Sequence, residues 1–428
     1  MKENIINKLK NLNSDYYELI ENIGKVAHEV KQKAYLVGGI VRDILLDFKN
    51  LDIDIVVEDN ALTLAKALEN KFKNCKVSKE HDRFQTAKIV FNIKGKEISI
   101  DLASTREEIY EFPAALPNVR VSTLEKDLIR RDFTINALAV SLMPDDFGEV
   151  VDLFNGLSDL KEQKIRILHD LSFVDDPTRM IRAVRFAARF GFEIEKHTLD
   201  LLKRTIDSRQ FDNLIEKIRG DRVKIEIKYL FNLSNIEQAL DSFFASGISR
   251  MISTRLKYDD EVKEIISRAK YFIGKTKLNN HWLIYLALLA QDLENKDKEK
   301  ILKNLQLTGD EIKIINKGFS TYSNLVRLLA EEVKINSTHL YKELKNIPVE
   351  SILFVKALFI KNPEIVQLLD EYLEKTSMIK LEITGDDLIA LGIKEGRRVG
   401  EVLEKVLEKK IRNPGMTKKD ELSEAEKL

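Results

Sequence analysis

Along the first 150 residues the apolar positions fall in short runs rich in β-branched and aromatic side chains, each bounded by Gly, Asn or charged residues. Ala34-Tyr35-Leu36-Val37, Ile53-Asp54-Ile55-Val56-Val57, Lys88-Ile89-Val90-Phe91 and Glu97-Ile98-Ser99-Ile100-Asp101-Leu102 stand out. Runs of this length and composition predict strands. Between the second and third, Leu62, Leu64, Ala65, Ala67 and Leu68 recur at helical spacing, which predicts a mixed α/β domain on a small sheet, ending near Val151. From about Asp175 the period changes. Windows such as Met180 to Phe192, Asp221 to Phe231 and Asn280 to Leu293 repeat every 3.6 residues, and Thr308-Gly309-Asp310-Glu311 has the spacing of a capping box. The remainder therefore predicts stacked helices without an internal repeat, and the charged stretch Met416 to Leu428 reads as a frayed end.

Composition removes several function classes. A chain of 428 residues predicts about three compact units. Its 70 basic and 70 acidic residues give zero formal charge, so binding to a polyanion must use a local patch. With 17 Gly and 7 Pro it is neither collagen-like nor low-complexity. The single cysteine, Cys75, excludes a disulfide framework and a thiolate zinc cluster, points to a reducing compartment, and reads as chemically inert. The run Trp282 to Ala290 is far short of the roughly 18 residues of a membrane span, and Met1-Lys2-Glu3-Asn4 has no apolar signal core. The expectation is a soluble, cytoplasmic protein without a membrane partner. The six histidines show no metal-binding spacing; His169-Asp170 reads as a loop and Trp282 as core.

Two constellations carry chemistry. Gly38-Gly39-Ile40-Val41-Arg42-Asp43 follows a strand and opens a helix. Such a turn lets the backbone approach a phosphate, offers unpaired N–H groups at the helix start and adds Arg42 as a charged fork; a tight strand-to-helix turn uses the same residues. Ten residues on, Asp52 and Asp54 alternate with Ile53 and Ile55, so both carboxylates share one strand face. Two like charges there suit a bridging divalent cation, and hard oxygen ligands suit Mg²⁺, with Asp101 as a third candidate at the end of a later strand. A D-x-D alone is more often a solvated strand face; its position after G-G-x-V-R-D reverses that balance in favour of the cation.

At these residues the chain resembles the nucleotidyltransferase superfamily that includes DNA polymerase beta, and within it the class II tRNA nucleotidyltransferase and bacterial poly(A) polymerase branch. Arg130-Arg131-Asp132-Phe133-Thr134-Ile135-Asn136-Ala137 is similar to that branch's second motif and Asp152-Leu153-Phe154-Asn155-Gly156-Leu157-Ser158-Asp159-Leu160 to its third. Asp175-Asp176-Pro177-Thr178-Arg179-Met180-Ile181-Arg182-Ala183-Val184-Arg185-Phe186 is similar to its nucleotide-selecting motif. The likeness covers roughly residues 34 to 230 closely and extends loosely to Thr384-Gly385-Asp386-Asp387. Asp47 stands where the family usually has glycine, and Asp175 where it usually has glutamate.

The resemblance implies an α+β fold: a small mixed-sheet, polymerase beta-like catalytic head over residues 1–150, then an all-helical neck (151–225) for nucleotide selection, a helical body (226–350) and a helical tail (351–428) that grips tRNA. It implies that Asp52 and Asp54 hold two Mg²⁺ ions, that Gly39 and Arg42 cradle phosphates and that Arg131 contacts the nucleotide. The selecting motif can also be read chemically. On a helix beginning near Asp176, Asp176 and Arg179 are neighbours, and a carboxylate with a guanidinium pairs with the amino group and ring nitrogen of cytosine or adenine but not with uracil or guanine. Arg185 lies roughly opposite Asp176 on that helix, so Arg182 and Arg185 serve the triphosphate or an inter-domain contact. The expected activity is template-independent addition of CCA to the 3′ end of tRNA from CTP and ATP, releasing pyrophosphate. The alternatives are A-only or CC-only addition, poly(A) synthesis, or tRNA binding without chemistry, and no protein partner is implied.

Overall fold

The computed structural model describes residues 5–428 apart from 13, 49–51, 83–84, 110–117 and 217–219. The reading that rests on Met1-Lys2-Glu3-Asn4 lies outside the described residues. The chain divides into two compact units, residues 1–254 and 255–428. The boundaries expected at 225 and 350 fall inside helices, Gly220–Phe231 and Val349–Leu358.

The first unit is built on a mixed sheet. Its strands are β1 (Lys33–Val37), β2 (Ile53–Glu58), β3 (Cys75–His81), β4 (Thr86–Ile93) and β5 (Lys96–Ser104); a separate hairpin follows, β6 (Arg106–Ile109) with β7 (Asn118–Val121), then β8 (Leu138–Ser141) and β9 (Val150–Asp152). The order is β3-β4-β5-β2-β1-β8-β9, with only β2 and β5 parallel. All four strands expected from the pattern are present. β3 was not expected, because its Cys-Lys-Val-Ser-Lys-Glu-His sequence is mostly charged and exposed, as suits an edge strand that must not recruit another.

Alternation along the central strands decides what each sheet face does. Ile53, Ile55, Ile89, Phe91, Ile100 and Leu102 point into a core under helices Ser14–Glu29 and Ala61–Lys71. Each such side chain contributes roughly 1.5–3 kcal/mol on burial. The other face is apolar at Val37, Val56 and Ala139, where Leu124 and Leu128 of helix Leu124–Ile129 cover it. Two residues earlier on β2 and β5, the same face carries Asp54 and Asp101, register partners that helix Leu124–Ile129 does not cover and that stay exposed. Cys75 is buried, and burial pushes its thiol up to about 11, consistent with an inert cysteine.

In the second unit, Trp282–Leu289 has all eight residues buried, packed against Val349–Leu358. Both halves of the Thr308/Glu311 capping box form. The reading of Met416–Leu428 as a frayed end is corrected. Lys418–Glu426 is a helix with a Thr417/Asp420 capping box, and Leu422, Ala425 and Leu428 join the core of Ile383, Leu388, Val402 and Val406. Glu421 is fully buried, accepting from the backbone of Glu382 and Ile383 and pairing with Lys410. Its high charge hid three apolar contacts and one internal ion pair. Among the described residues no helix is long and apolar enough to cross a membrane.

Candidate active site

The cleft begins where β1 ends. Gly38 has φ +76°, a left-handed conformation that glycine adopts without penalty. A Cβ there would also stand 2.9 Å from the Arg131 guanidinium and 3.9 Å from the Asp54 carboxylate. The turn is thus pressed against both groups, and it leads directly into helix Gly39–Leu45. Arg42, in the last turn of that short helix and expected as a phosphate fork, has three of its donors already engaged. It is buried, donating from Nε and Nη2 to Asp43 and from Nη1 to Asn136 (2.8, 2.6 and 2.5 Å). Phe186 and Phe190 stack on it, so it braces the cleft floor.

Asp54 faces this turn from β2. Desolvation by the cleft walls, then the like charges of Asp101 and Asp52, push its carboxyl up to about 6, while Arg131 and Lys88 act in the opposite sense. Asp52 lies just before the strand and is exposed; Asp101 is exposed and paired with Lys88 at 3.3 Å. Among the described residues no three acidic, histidine or cysteine side chains form a ready cation cage. A crowded pair of hard carboxylates with few further protein ligands nevertheless fits Mg²⁺, which keeps waters and takes substrate phosphate oxygens.

The second and third motifs bolt one wall together. Helix Leu124–Ile129 delivers Arg130 and Arg131 to the cleft, and buried Asp127 pairs with both, at 2.7 and 2.8 Å. Asp152 accepts from the backbone N–H groups of Phe154, Gly156 and Leu157, and buried Asp159 accepts from the Thr134 hydroxyl at 2.6 Å. A Cβ on Gly156 would come within 2.4 Å of the Thr134 carbonyl oxygen. Gly156→Ala should therefore destabilise the protein by about 1–3 kcal/mol in chemical denaturation.

The helix of the third quoted motif, Asp175 to Phe186, spans Thr178–Phe190 and so begins two residues later than expected. Asp176 precedes it in extended backbone and accepts from the Thr178 N–H and hydroxyl through one oxygen (3.0 and 2.6 Å). Its other oxygen pairs with Arg222 at 2.7 Å. Buried Arg179 donates to the Ser172 hydroxyl and the Arg130 carbonyl, two uses of a five-donor group. Arg182 bridges Asp132 and Glu226, and Arg185 also pairs with Glu226. Burial alone would raise the Asp132 carboxyl, but Arg182 and Asn136 hold it down to about 2. Arg182 thus ties helix Thr178–Phe190 to Asp132 and to the helix that carries Glu226.

Gly38, Gly39, Arg42, Asp54, Arg131, Asp176, Arg179, Arg182 and Arg185 all line one cavity of about 540 Å³. Glu108, Arg222 and Glu226 were not singled out in the sequence. Arg222 and Glu226 lie four apart on a helix 46 and 44 residues after their partners Asp176 and Arg182, and nothing local marks such a pairing. Asp52 and Asp101 are not among the residues lining the cavity.

Residues 34–166 match the family model described as the poly A polymerase head domain. The A-adding tRNA nucleotidyltransferase of Halalkalibacterium halodurans is 30% identical over 92% of this chain and 88% of its own length. The chain belongs to the class II tRNA nucleotidyltransferase family. The A-adding enzyme of Geobacter sulfurreducens is 33% identical over 96% of this chain, which spans only 47% of that protein. Among solved structures, the Thermotoga maritima CCA-adding enzyme complexed with tRNA has a TM-score of 0.78 and 32% identity, covering 99% of this chain and 98% of that one. CCA-adding enzyme structures with ATP and with CTP match at 32% identity, with TM-scores of 0.80 and 0.79, over 99% of this chain and 97% of each of theirs.

Within this class II family, one departure now has a geometry. Asp47 has φ +59°, the conformation for which glycine is best suited, and its carboxylate is anchored by Lys8 at 3.1 Å. Aspartate tolerates this region better than most residues.

Proposed function

We propose that this chain adds nucleotides without a nucleic-acid template to the 3′ hydroxyl of tRNA, completing its CCA end from CTP and ATP. The observation that carries the reading is the shared cavity: a base-edge pair, Asp176 and Arg179, opens into the same space as the Gly38 turn, Arg131 and Asp54. The 3′ oxygen attacks the α-phosphorus in line, the bond from that phosphorus to the bridging oxygen breaks, and pyrophosphate leaves. Asp52 and Asp54 would hold Mg²⁺, which when bound lowers the pKa of the 3′ hydroxyl and neutralises triphosphate charge. The Gly38 turn lets the backbone approach the phosphates, and Arg131 sits over it to balance their charge. Asp176, fixed by Thr178 and Arg222, keeps acceptor capacity for the exocyclic amine of C or A. Arg179 donates to the neighbouring ring nitrogen. Uracil and guanine place a carbonyl against the carboxylate instead and are refused. The helical body and tail would hold the rest of the tRNA through its phosphates and shape.

Because Asp54 must be ionised to hold a cation, nucleotide addition at limiting Mg²⁺ should rise with pH through about 6. In cation-free protein its carboxyl should titrate there by carboxyl NMR, and saturating Mg²⁺ should move the midpoint down. A midpoint near the ordinary aspartate value would contradict the crowding inferred for this face.

A second reading, addition of the terminal A alone, is favoured by the names of the Geobacter and Halalkalibacterium relatives. Three tRNAs, lacking CCA, ending in its first C and ending in CC, each given CTP, ATP or both, separate the readings. Full CCA addition predicts that all three are completed with both nucleotides. Extension of only the CC form, with ATP, would establish the second reading.

A further inference from the structure

Helix Gly220–Phe231 turns Val223, Ile227, Leu230 and Phe231 into the core. On its other side two large side chains are left in water, Ile225 at 51% and Tyr229 at 56% exposure. At 3.6 residues per turn, Arg222, Ile225 and Tyr229 fall within about 60° of one another round the helix. Arg222 lines the cavity, and the exposed pair shares its face of the helix. The Tyr229 ring is also braced. The buried guanidinium of Arg185, another cavity residue, lies 5.4 Å from its centroid and 4.3 Å from that of Phe186.

We propose that Tyr229, backed by Arg185 and flanked by Ile225, is a stacking platform for an unpaired base of the RNA 3′ end that is being extended. The proposal rests on the function argued above. The two substrates pose different recognition problems. An incoming nucleotide must be told from its rivals, which takes donors and acceptors aimed at its base edge. The growing end changes identity at each addition, so its holder must use what every base offers, a π-face. An exposed aromatic ring on the helix face that carries Arg222, packed against the cavity residue Arg185, meets that need. Arg185, itself held by Glu226, fixes the ring from behind.

The test uses the full chain with tRNA ending in CC, and compares wild type, Tyr229→Leu and Tyr229→Phe. Leucine keeps an apolar cover over Arg185 but has no π-face; phenylalanine keeps the ring. Tyr229→Leu should raise KM for tRNA about tenfold and leave KM for ATP within about twofold, while Tyr229→Phe behaves as wild type. With 2-aminopurine at the last unpaired position, binding should change its fluorescence in wild type and Tyr229→Phe but not in Tyr229→Leu. That binding signal needs no nucleotide transfer, so it decides the platform even if the proposed activity fails. Unchanged KM for tRNA and unchanged fluorescence in Tyr229→Leu would overturn the proposal. So would an effect confined to KM for ATP, or a change of oligomeric state on substitution, which would make the face a contact between copies.

Discussion

Asp52→Ala and Asp54→Ala should each abolish measurable nucleotide addition, a loss of about a thousandfold or more, while tRNA affinity stays within a few-fold. The magnitude follows from the several kcal/mol of transition-state charge stabilisation that a bound cation supplies, at 1.36 kcal/mol per tenfold in rate. Neither carboxylate belongs to the hydrophobic core, so the fold should not depend on them. Asp54 sits in a setting that resists its ionisation, through desolvation first and then Asp101 and Asp52, so its removal should leave Tm unchanged or slightly raised. Single-turnover transfer, filter binding of tRNA and a melting curve on each variant check the three parts. Retained turnover in either variant would remove it from the catalytic scheme.

Asp176→Ala should slow use of CTP and ATP and relax the refusal of UTP and GTP, narrowing the preference by roughly ten- to hundredfold, since a good bidentate pair supplies about 1–3 kcal/mol of discrimination. The variant also strips Arg222 of its partner and helix Thr178–Phe190 of its Thr178 acceptor, so some loss of stability should accompany it. Asp176→Asn separates these effects. Its amide keeps an acceptor for Thr178 yet can turn an N–H toward a carbonyl, so it should accept UTP or GTP with less loss of stability. Competition between nucleotides at equal concentration reads the preference directly.

The sheet that carries Asp54 was legible because a period of two writes both faces at once: the residues that build the core also fix which carboxylates share the open face. The arginine-rich helix was legible from its 3.6-residue period, but its start was not. It starts after Asp176, because Pro177 and the Asp176 acceptor set the first turn. Arg42 reads as a ligand fork in the sequence; in the structure three of its donors go to Asp43 and Asn136, and the second lies 94 residues away, beyond any local signal. Glu226, which ties Arg182 and Arg185, was invisible for the same reason. The tail misled for a different one. Its charges dominate the composition, whereas its packing rests on a few apolar positions and one buried ion pair.

The most direct measurement is single-turnover extension of tRNA ending in CC, with ATP, UTP or GTP supplied singly with Mg²⁺, following the RNA end and pyrophosphate together. The account predicts one adenosine added per tRNA with one pyrophosphate released, and little extension from UTP or GTP. No extension from ATP, or extension from all three nucleotides alike, would contradict it.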